Sequence, residues 1–442
     1  MPLYLSDRPT APQPRADPTV GLPRRLAGTG IFYGWWIVLA AMALELVISG
    51  LFLQAYGAYL VLLRSEFGWS ATILSLAFAL TRVEQGLLAP LQGWLVDKYG
   101  PRRVVNAGVG VLAVGYLLLS QVSSLETFFA AIFVMAIGAS LGGFSSLAIA
   151  VVNWFERRRA TALGLLSAGF AASSLVLPVV VLSLALFGWR ATAALSALAT
   201  LLVAVPAAQV LRHRPELHGL LPDGAQHLVP SPTATDAQEA RRPDAFTLRR
   251  ALRARRFWYL SAGHACAVVV VSAVMLHLVP HLTGSLGLTL AEASGFVVVL
   301  SMVTLIAAVV GGAAGDRFDR RNLLVACMGG HALGILILGY ASAGWMVVAF
   351  ALLHGLAWGV RGPLMSSIRA DYFGRTAYGT ISGVAQVVVM LGMVSGPLIA
   401  GLAYDLTGSY VLGFNLIAGV AVVGAGFFVL ASRAAPPSVS AA

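Results

Sequence analysis

The sequence predicts an all-α membrane protein: twelve transmembrane helices arranged as two six-helix halves. Three observations carry this. Of 442 residues, 58% are hydrophobic and only 11% charged, too little charge to cover a water-soluble surface. Apolar runs of about 20 residues, the length that crosses a hydrocarbon core of ~30 Å, start near residues 33, 71, 104, 127, 161, 190, 256, 290, 322, 344, 377 and 408. Finally, the second half repeats the first. Gly68-Trp69-Ser70 matches Gly287-Leu288-Thr289, Phe155 with Arg157 matches Phe373 with Arg375, and Gly188 matches Gly408. A steady offset at separated points is the mark of a duplicated bundle.

The net charge of +11 is not a nucleic-acid signal, because of where it lies. All but four of the 29 Lys and Arg (Arg64, Arg82, Arg190 and Arg361) are expected in the N-terminal tail, alternate loops and the C-terminal tail. That is the positive-inside pattern, and it puts both termini in the cytoplasm. Cys266 and Cys327 sit in apolar runs without metal-ligand spacing, so neither a metal nor a cofactor is expected. The Pro-rich start has no apolar h-region, and the first span itself is expected to direct insertion.

Taken in order, residues 1–32 read as a disordered cytoplasmic tail. The N-terminal bundle, 33–211, opens with Phe32-Tyr33-Gly34-Trp35-Trp36, aromatics suited to the membrane interface. Glu45 lies about 17 Å into span 1 at the helical rise, and Gln54 deeper still. The turn Glu66-Phe67-Gly68-Trp69-Ser70 supplies a serine N-cap for span 2. Arg82 and Glu84 fall near the middle of that span, about 200° apart, and so cannot pair with each other. Arg82 shares its face with Gly86, Ala89 and Gly93, a stripe that admits another helix closely. Span 4 is glycine-rich and ends in Asn153-Trp154-Phe155-Glu156-Arg157-Arg158-Arg159. Span 5 runs through Gly164, Ser167, Gly169, Ser173 and Pro178. The polar stretch 212–255 reads as a cytoplasmic linker, 256–432 as the C-terminal bundle and 433–442 as a cytoplasmic tail.

Between spans 2 and 3 stands Gly93-Trp94-Leu95-Val96-Asp97-Lys98-Tyr99-Gly100-Pro101-Arg102-Arg103, echoed by Gly312-Ala313-Ala314-Gly315-Asp316-Arg317-Phe318-Asp319-Arg320-Arg321. A glycine four residues before an aspartate, then clustered arginines, resembles the loop 2–3 signature of the major facilitator superfamily and its echo in loop 8–9. Further stretches narrow the resemblance to the monocarboxylate-porter and oxalate–formate-antiporter branch. They are Tyr33-Gly34-Trp35-Trp36-Ile37-Val38, Glu66-Phe67-Gly68-Trp69-Ser70, His277-Leu278-Val279-Pro280, Arg361-Gly362-Pro363, Asp371-Tyr372-Phe373-Gly374 and Gly396-Pro397. The resemblance covers nearly all of 33–432. It implies the major facilitator fold in a bacterial inner membrane and secondary transport of a small organic anion, often with a proton, by alternating access. A monomer in the lipid bilayer would suffice, and no enzymatic activity is expected. Drug or other small-molecule export is the alternative within the superfamily. Two features depart from the branch, whose carriers usually bind the carboxylate through a basic residue in helix 8, some adding a lysine in helix 11. Span 8 here has Ser301, Met302 and Thr304 at its centre and no basic residue, and span 11 has Gln386 and no lysine.

The resemblance also implies that helices 1, 4, 7 and 10 line the central cavity, which brings Arg361 forward. It lies ten residues before Asp371, about 15 Å from the cytoplasmic face, where a guanidinium can grip a carboxylate through two hydrogen bonds. Gly362 and Pro363 are expected to distort its helix. The candidate substrate-binding residues are Arg361, Glu45, Arg82, Gln54 and Gln386; a structural ion pair is the competing role for the charged ones. Glu45, Glu84 and His277 are the candidates for proton coupling, since a buried carboxylate or an imidazole titrates in the working range. Equally, Glu45 is open to a fixed pairing with Arg82 or Arg361, Glu84 to a structural role and His277 to an interfacial one. For gating, the resemblance points to Asp97 with Arg102 or Arg103, and to Asp316 with Arg320 or Arg321, latching the cytoplasmic side.

Overall fold

The computed structural model describes residues 31–224 and 247–433. The expected tail through residue 30, the middle of the linker and residues 434–442 lie outside the described residues. Ten stretches among those described are long and apolar enough to cross a membrane. One, Arg159–Ala208, is 50 residues long and doubles back at Gly188, whose φ of 75° suits glycine alone. The more polar helix Ala71–Tyr99, 29 residues long, crosses as well. Among the described residues there are therefore twelve candidate spans.

They are α1 (Tyr33–Phe67), α2 (Ala71–Tyr99), α3 (Pro101–Ser120), α4 (Leu125–Trp154), α5 (159–187), α6 (189–208), α7 (Arg255–Ser285), α8 (Leu290–Arg317), α9 (Arg320–Gly339), α10 (Gly344–Phe373), α11 (Tyr378–Thr407) and α12 (Val411–Arg433). Each begins within a turn of its expected place. Local chemistry explains the starts. Ser70 caps α2 by accepting from Ile73 N, and at the equivalent point Thr289 and Glu292 form a reciprocal capping box on α8. Pro101 opens α3, where its missing N–H costs no hydrogen bond.

Each six-helix half encloses its own apolar core. Leucines such as Leu186, Leu202, Leu402 and Leu406 stay exposed on the outer surface, as lipid contact requires. With both described ends on one face, the molecule has a terminal face and an opposite face. The halves meet chiefly through two helix pairs, α2 with α11 and α5 with α8. Glycine makes the approach possible. A β-carbon at Gly93 would lie 2.0 Å from the carbonyl oxygen of Gly379, and one at Gly383 would lie 2.2 Å from that of Ala89. At the repeat-related contact, Gly164 meets the Ala308 carbonyl and Gly312 that of Ala160.

Three helices are irregular at mid-membrane. α1 widens to a π-helical turn at Gly50–Gln54, α4 breaks at Gly143, and α5 tightens to a 3-10 turn at Ser173–Val176. Gly362-Pro363 does not break α10, which continues as a helix through Pro363.

Candidate functional site

A cavity of about 150 Å³ lies where the irregular segments meet. α1 contributes Glu45, Ser49 and Phe52; α2 contributes Arg82, Gln85 and Gln92; α4 contributes Ser140 and the break around Gly143. From the other half comes Gln386 of α11. Irregular backbone at membrane depth is tolerated where it lines such a space, and the breaks let side chains converge that a regular helix would fan apart.

Within the wall, Arg82 donates from Nη1 to Gln85 Oε1 at 3.2 Å. Gln92 donates to the Ser140 carbonyl at 2.6 Å and to Ser146 Oγ at 3.0 Å, tying α2 to α4. Glu45, 2% exposed, accepts from Ser49 Oγ at 2.6 Å through Oε1, while its Oε2 has no partner among the described residues. It pairs with neither Arg82 nor Arg361 among the described residues. The wall thus offers one guanidinium, three amides and one carboxyl with an open oxygen, enough to hydrogen-bond a small charged solute on several sides.

Of the five candidate binding residues, Glu45, Arg82 and Gln386 come together at this cavity. Gln54 lies beyond it and donates to Ser173 Oγ at 3.1 Å, joining the π-turn of α1 to the 3-10 turn of α5. Arg361 is also elsewhere. It is buried inside the C-terminal half, with Nε and Nη1 unpartnered among the described residues. Glu84 is buried on α2, and neither of its oxygens has a partner among the described residues. His277 is held twice, by the Pro397 carbonyl at 3.0 Å from Nε2 and by the Tyr410 hydroxyl at 3.3 Å from Nδ1. The carbonyl can only accept, so Nε2 carries a proton and the ring ties α7 to α11 and to Tyr410, just before α12.

On the terminal face, each half caps a helix of the other. Asp97 accepts from Gly379 N at 3.0 Å and from Thr380 N and Oγ1 at 2.8 Å each, closing the N-terminus of α11. Asp316 accepts from Ala160 N and Thr161 N at 2.9 Å each, closing that of α5. A carboxylate at a helix N-terminus meets free N–H groups and the positive end of the dipole. Around Asp316, Arg320 bridges to Asp316 at 3.1 Å and to Asp371, and Arg159 reaches Asp371 at 2.6 Å from the other half. Arg102 hydrogen-bonds Gln209 rather than Asp97, Arg103 is exposed, and Arg321 stacks on Tyr372 at 5.4 Å. In the segment after α6, His213 rests against Gly100. Burial, helped by Arg214, pushes its pKa down to about 4, so it adds no charge to the latch near neutrality.

Two paired helix-capping aspartates on a duplicated twelve-helix bundle carry the fold, and comparison with known proteins agrees. The family model of the Major Facilitator Superfamily matches residues 42–304 and again 260–442. The chain belongs to this superfamily. It is 27% identical over 436 residues to human monocarboxylate transporter 11, covering 96% of this chain and 86% of that one. It is 29% identical over 137 residues to the oxalate:formate antiporter of Oxalobacter formigenes, covering 31% and 32%. Among solved structures, the human organic anion transporter MFSD10 superposes with a TM-score of 0.69 at 19% identity, covering 89% of this chain and 98% of that one. The branch read from the motifs is thus the branch its relatives occupy. These relatives are membrane transporters rather than enzymes, and this superfamily member is a multi-pass membrane transporter too.

Several elements of its site were not singled out from sequence. Gln85, Gln92 and Ser49 line the cavity, and Asp371 and Arg159 join the latch. Gln92 lies seven residues after Gln85, two turns along the same face of α2, which was a readable signal. Arg369, expected with the loop charges, is buried in α10, where Nη2 meets His264 Nδ1 at 2.7 Å.

Proposed function

We propose that this transporter is a secondary carrier of a small organic anion, a monocarboxylate in the first instance, coupled to protons and working by alternating access. The observation that carries this reading is the cavity, where Arg82 stands among amides and opposite a buried carboxyl group. The guanidinium supplies the charge a carboxylate needs, Gln386 reaches the same solute from the second half, and Glu45 takes the coupled proton. The names of the relatives support an organic anion as cargo. In this reading the membrane is a bacterial inner membrane, one chain suffices, and the excess of Lys and Arg in its loops supports a cytoplasmic position for the terminal face. On that orientation the two capping aspartates hold the cytoplasmic side closed and the conformation faces outward.

The test is uptake into liposomes holding the purified protein, over a panel of mono- and dicarboxylates, with and without a pH gradient. Saturable monocarboxylate uptake, faster when the outside is acidified, is the expected result. If no carboxylate moves while a drug panel is extruded, the exporter reading takes its place.

A further inference from the structure

At the end of α10 the two halves differ in a way that transport does not explain. Because Phe155 matches Phe373 in the repeat, Trp154 matches Tyr372. Trp154 is fully buried. Its ring packs 5.3 Å from that of Tyr33 and 5.9 Å from that of Phe32, between centroids. Its Nε1 donates to the Arg212 carbonyl at 3.1 Å, and the His218 ring lies 6.2 Å away. The chain that follows α6 thus covers it. Tyr372 is only half-buried, and its ring carries two guanidiniums, Arg256 of α7 at 4.9 Å and Arg321 of α9 at 5.4 Å from the centroid.

Both arginines stand in the first turn of their helices, and α7 has no side-chain cap at Ala254. Cation–π contact holds each guanidinium, yet it brings two like charges to one ring, which an anion between them would relieve. Arg253 and Arg255 add charge close along the chain. The nearby carboxylates are engaged elsewhere: Asp371 with Arg159 and Arg320, Asp316 with Arg320 and the start of α5, and Asp319 with the Arg321 backbone N–H at 2.8 Å. The depth of the group says what kind of anion fits. α7 has 31 residues, about 46 Å at the helical rise against a hydrocarbon core of ~30 Å, so its arginine-bearing first turn has room to stand at headgroup level. Trp258 and Phe318 are exposed beside these arginines in the chain, as aromatic side chains at a membrane interface are. Trp258 also donates from Nε1 to the Leu252 carbonyl at 2.8 Å, holding the short basic helix Leu248–Arg253 against the start of α7.

We propose that Arg256 and Arg321, set around Tyr372, bind the phosphate of an anionic phospholipid at the terminal face of the C-terminal half. The phosphodiester accepts charge-assisted hydrogen bonds from the guanidiniums, and the rest of the lipid meets the exposed aromatic surface. Basic clusters at the ends of membrane helices recognise anionic head groups in this way. Bound there, one lipid joins α7, α9 and α10. In the N-terminal half the protein's own chain fills the corresponding place. The site is separate from the cavity and independent of the cargo.

The test is native mass spectrometry of the purified full chain, titrated in detergent with phosphatidylglycerol or with phosphatidylcholine of the same acyl chains. The parent should hold one phosphatidylglycerol roughly ten-fold more tightly than phosphatidylcholine, the scale of a charged hydrogen bond. Arg256→Gln combined with Arg321→Gln should bring both lipids to the same affinity. Arg157→Gln combined with Arg158→Gln, an equal loss of exposed charge on the same face, should keep the preference. Phosphatidylglycerol should also raise the thermal midpoint of the parent and of this control, but not of the Arg256/Arg321 double variant. If that double variant does not fold, the single changes should each lose part of the preference. No preference in the parent, or an equal loss in the control, overturns the proposal. Displacement of the lipid by millimolar inorganic phosphate would make the ligand a soluble phosphate instead. A preference that appears only after deletion of 434–442, or after Asp236→Asn, Glu239→Gln and Asp244→Asn together, would give the place to this chain's own segments.

Discussion

A guanidinium in mid-membrane costs about 2.5–3.5 kcal/mol on insertion scales, so the placement of each one is informative. Arg82 and Arg361 look alike in the sequence, as lone charges in apolar spans. The fold separates them, Arg82 to the wall of the cavity between the halves and Arg361 to the interior of one half. No pattern along the chain distinguishes the two, because side-chain direction at mid-span depends on which neighbouring helix approaches. The substitution Arg82→Gln keeps a polar group in the wall and removes the charge. We expect KM for a monocarboxylate to rise roughly ten- to a hundred-fold, the equivalent of about 1.5–3 kcal/mol for a charged hydrogen bond, with a smaller change in kcat. Counterflow in liposomes measures both, and an unchanged KM would take the anion away from Arg82.

At the scale of helices, the sequence was most legible where capping and glycine spacing act. Ser70, Thr289 and Gly188 mark their turns as expected, since each effect is local. The aspartate of each signature was legible too, but its partners were not. Asp97 meets backbone N–H groups of α11, far along the chain, and no side-chain charge announces them. The breaks at Gly50–Gln54 and Ser173–Val176 went unread for a related reason: they lean on each other, with Gly50 against Val176 and Gln54 against Ser173. If the two caps are halves of one latch, Asp97→Asn and Asp316→Asn should each slow exchange by weakening a cap worth about 1 kcal/mol. The double variant should shift the resting population towards the open terminal side. Thiol labelling of a cysteine placed at Ser382 would report it as faster modification. Labelling equal to that of the parent would mean that the caps stabilise single helices and do not gate.

For the whole molecule, duplication was the strongest signal, and the structure gives it a mechanical meaning. Asp97 with Gly379 and Thr380 in one contact, and Asp316 with Ala160 and Thr161 in the other, are the same contact repeated 219 residues on, with the halves exchanging roles. An even number of spans then places both ends on one face, but it cannot say which side of the membrane that face meets. Our proposal of a cytoplasmic terminal face rests on charge. The terminal face carries Arg102, Arg103, Arg157, Arg158 and the run Arg249 to Arg256, whereas the opposite face has Arg64 and Arg190, the latter neutralised by Glu66 at 2.5 Å. Segments with excess Lys and Arg stay in the cytoplasm during insertion. A periplasm-active reporter fused after Arg433 should therefore be silent, and one fused in the α3–α4 turn at Gln121 should be active. Activity after Arg433 would invert the molecule and, with it, the side on which the two capping aspartates close the path.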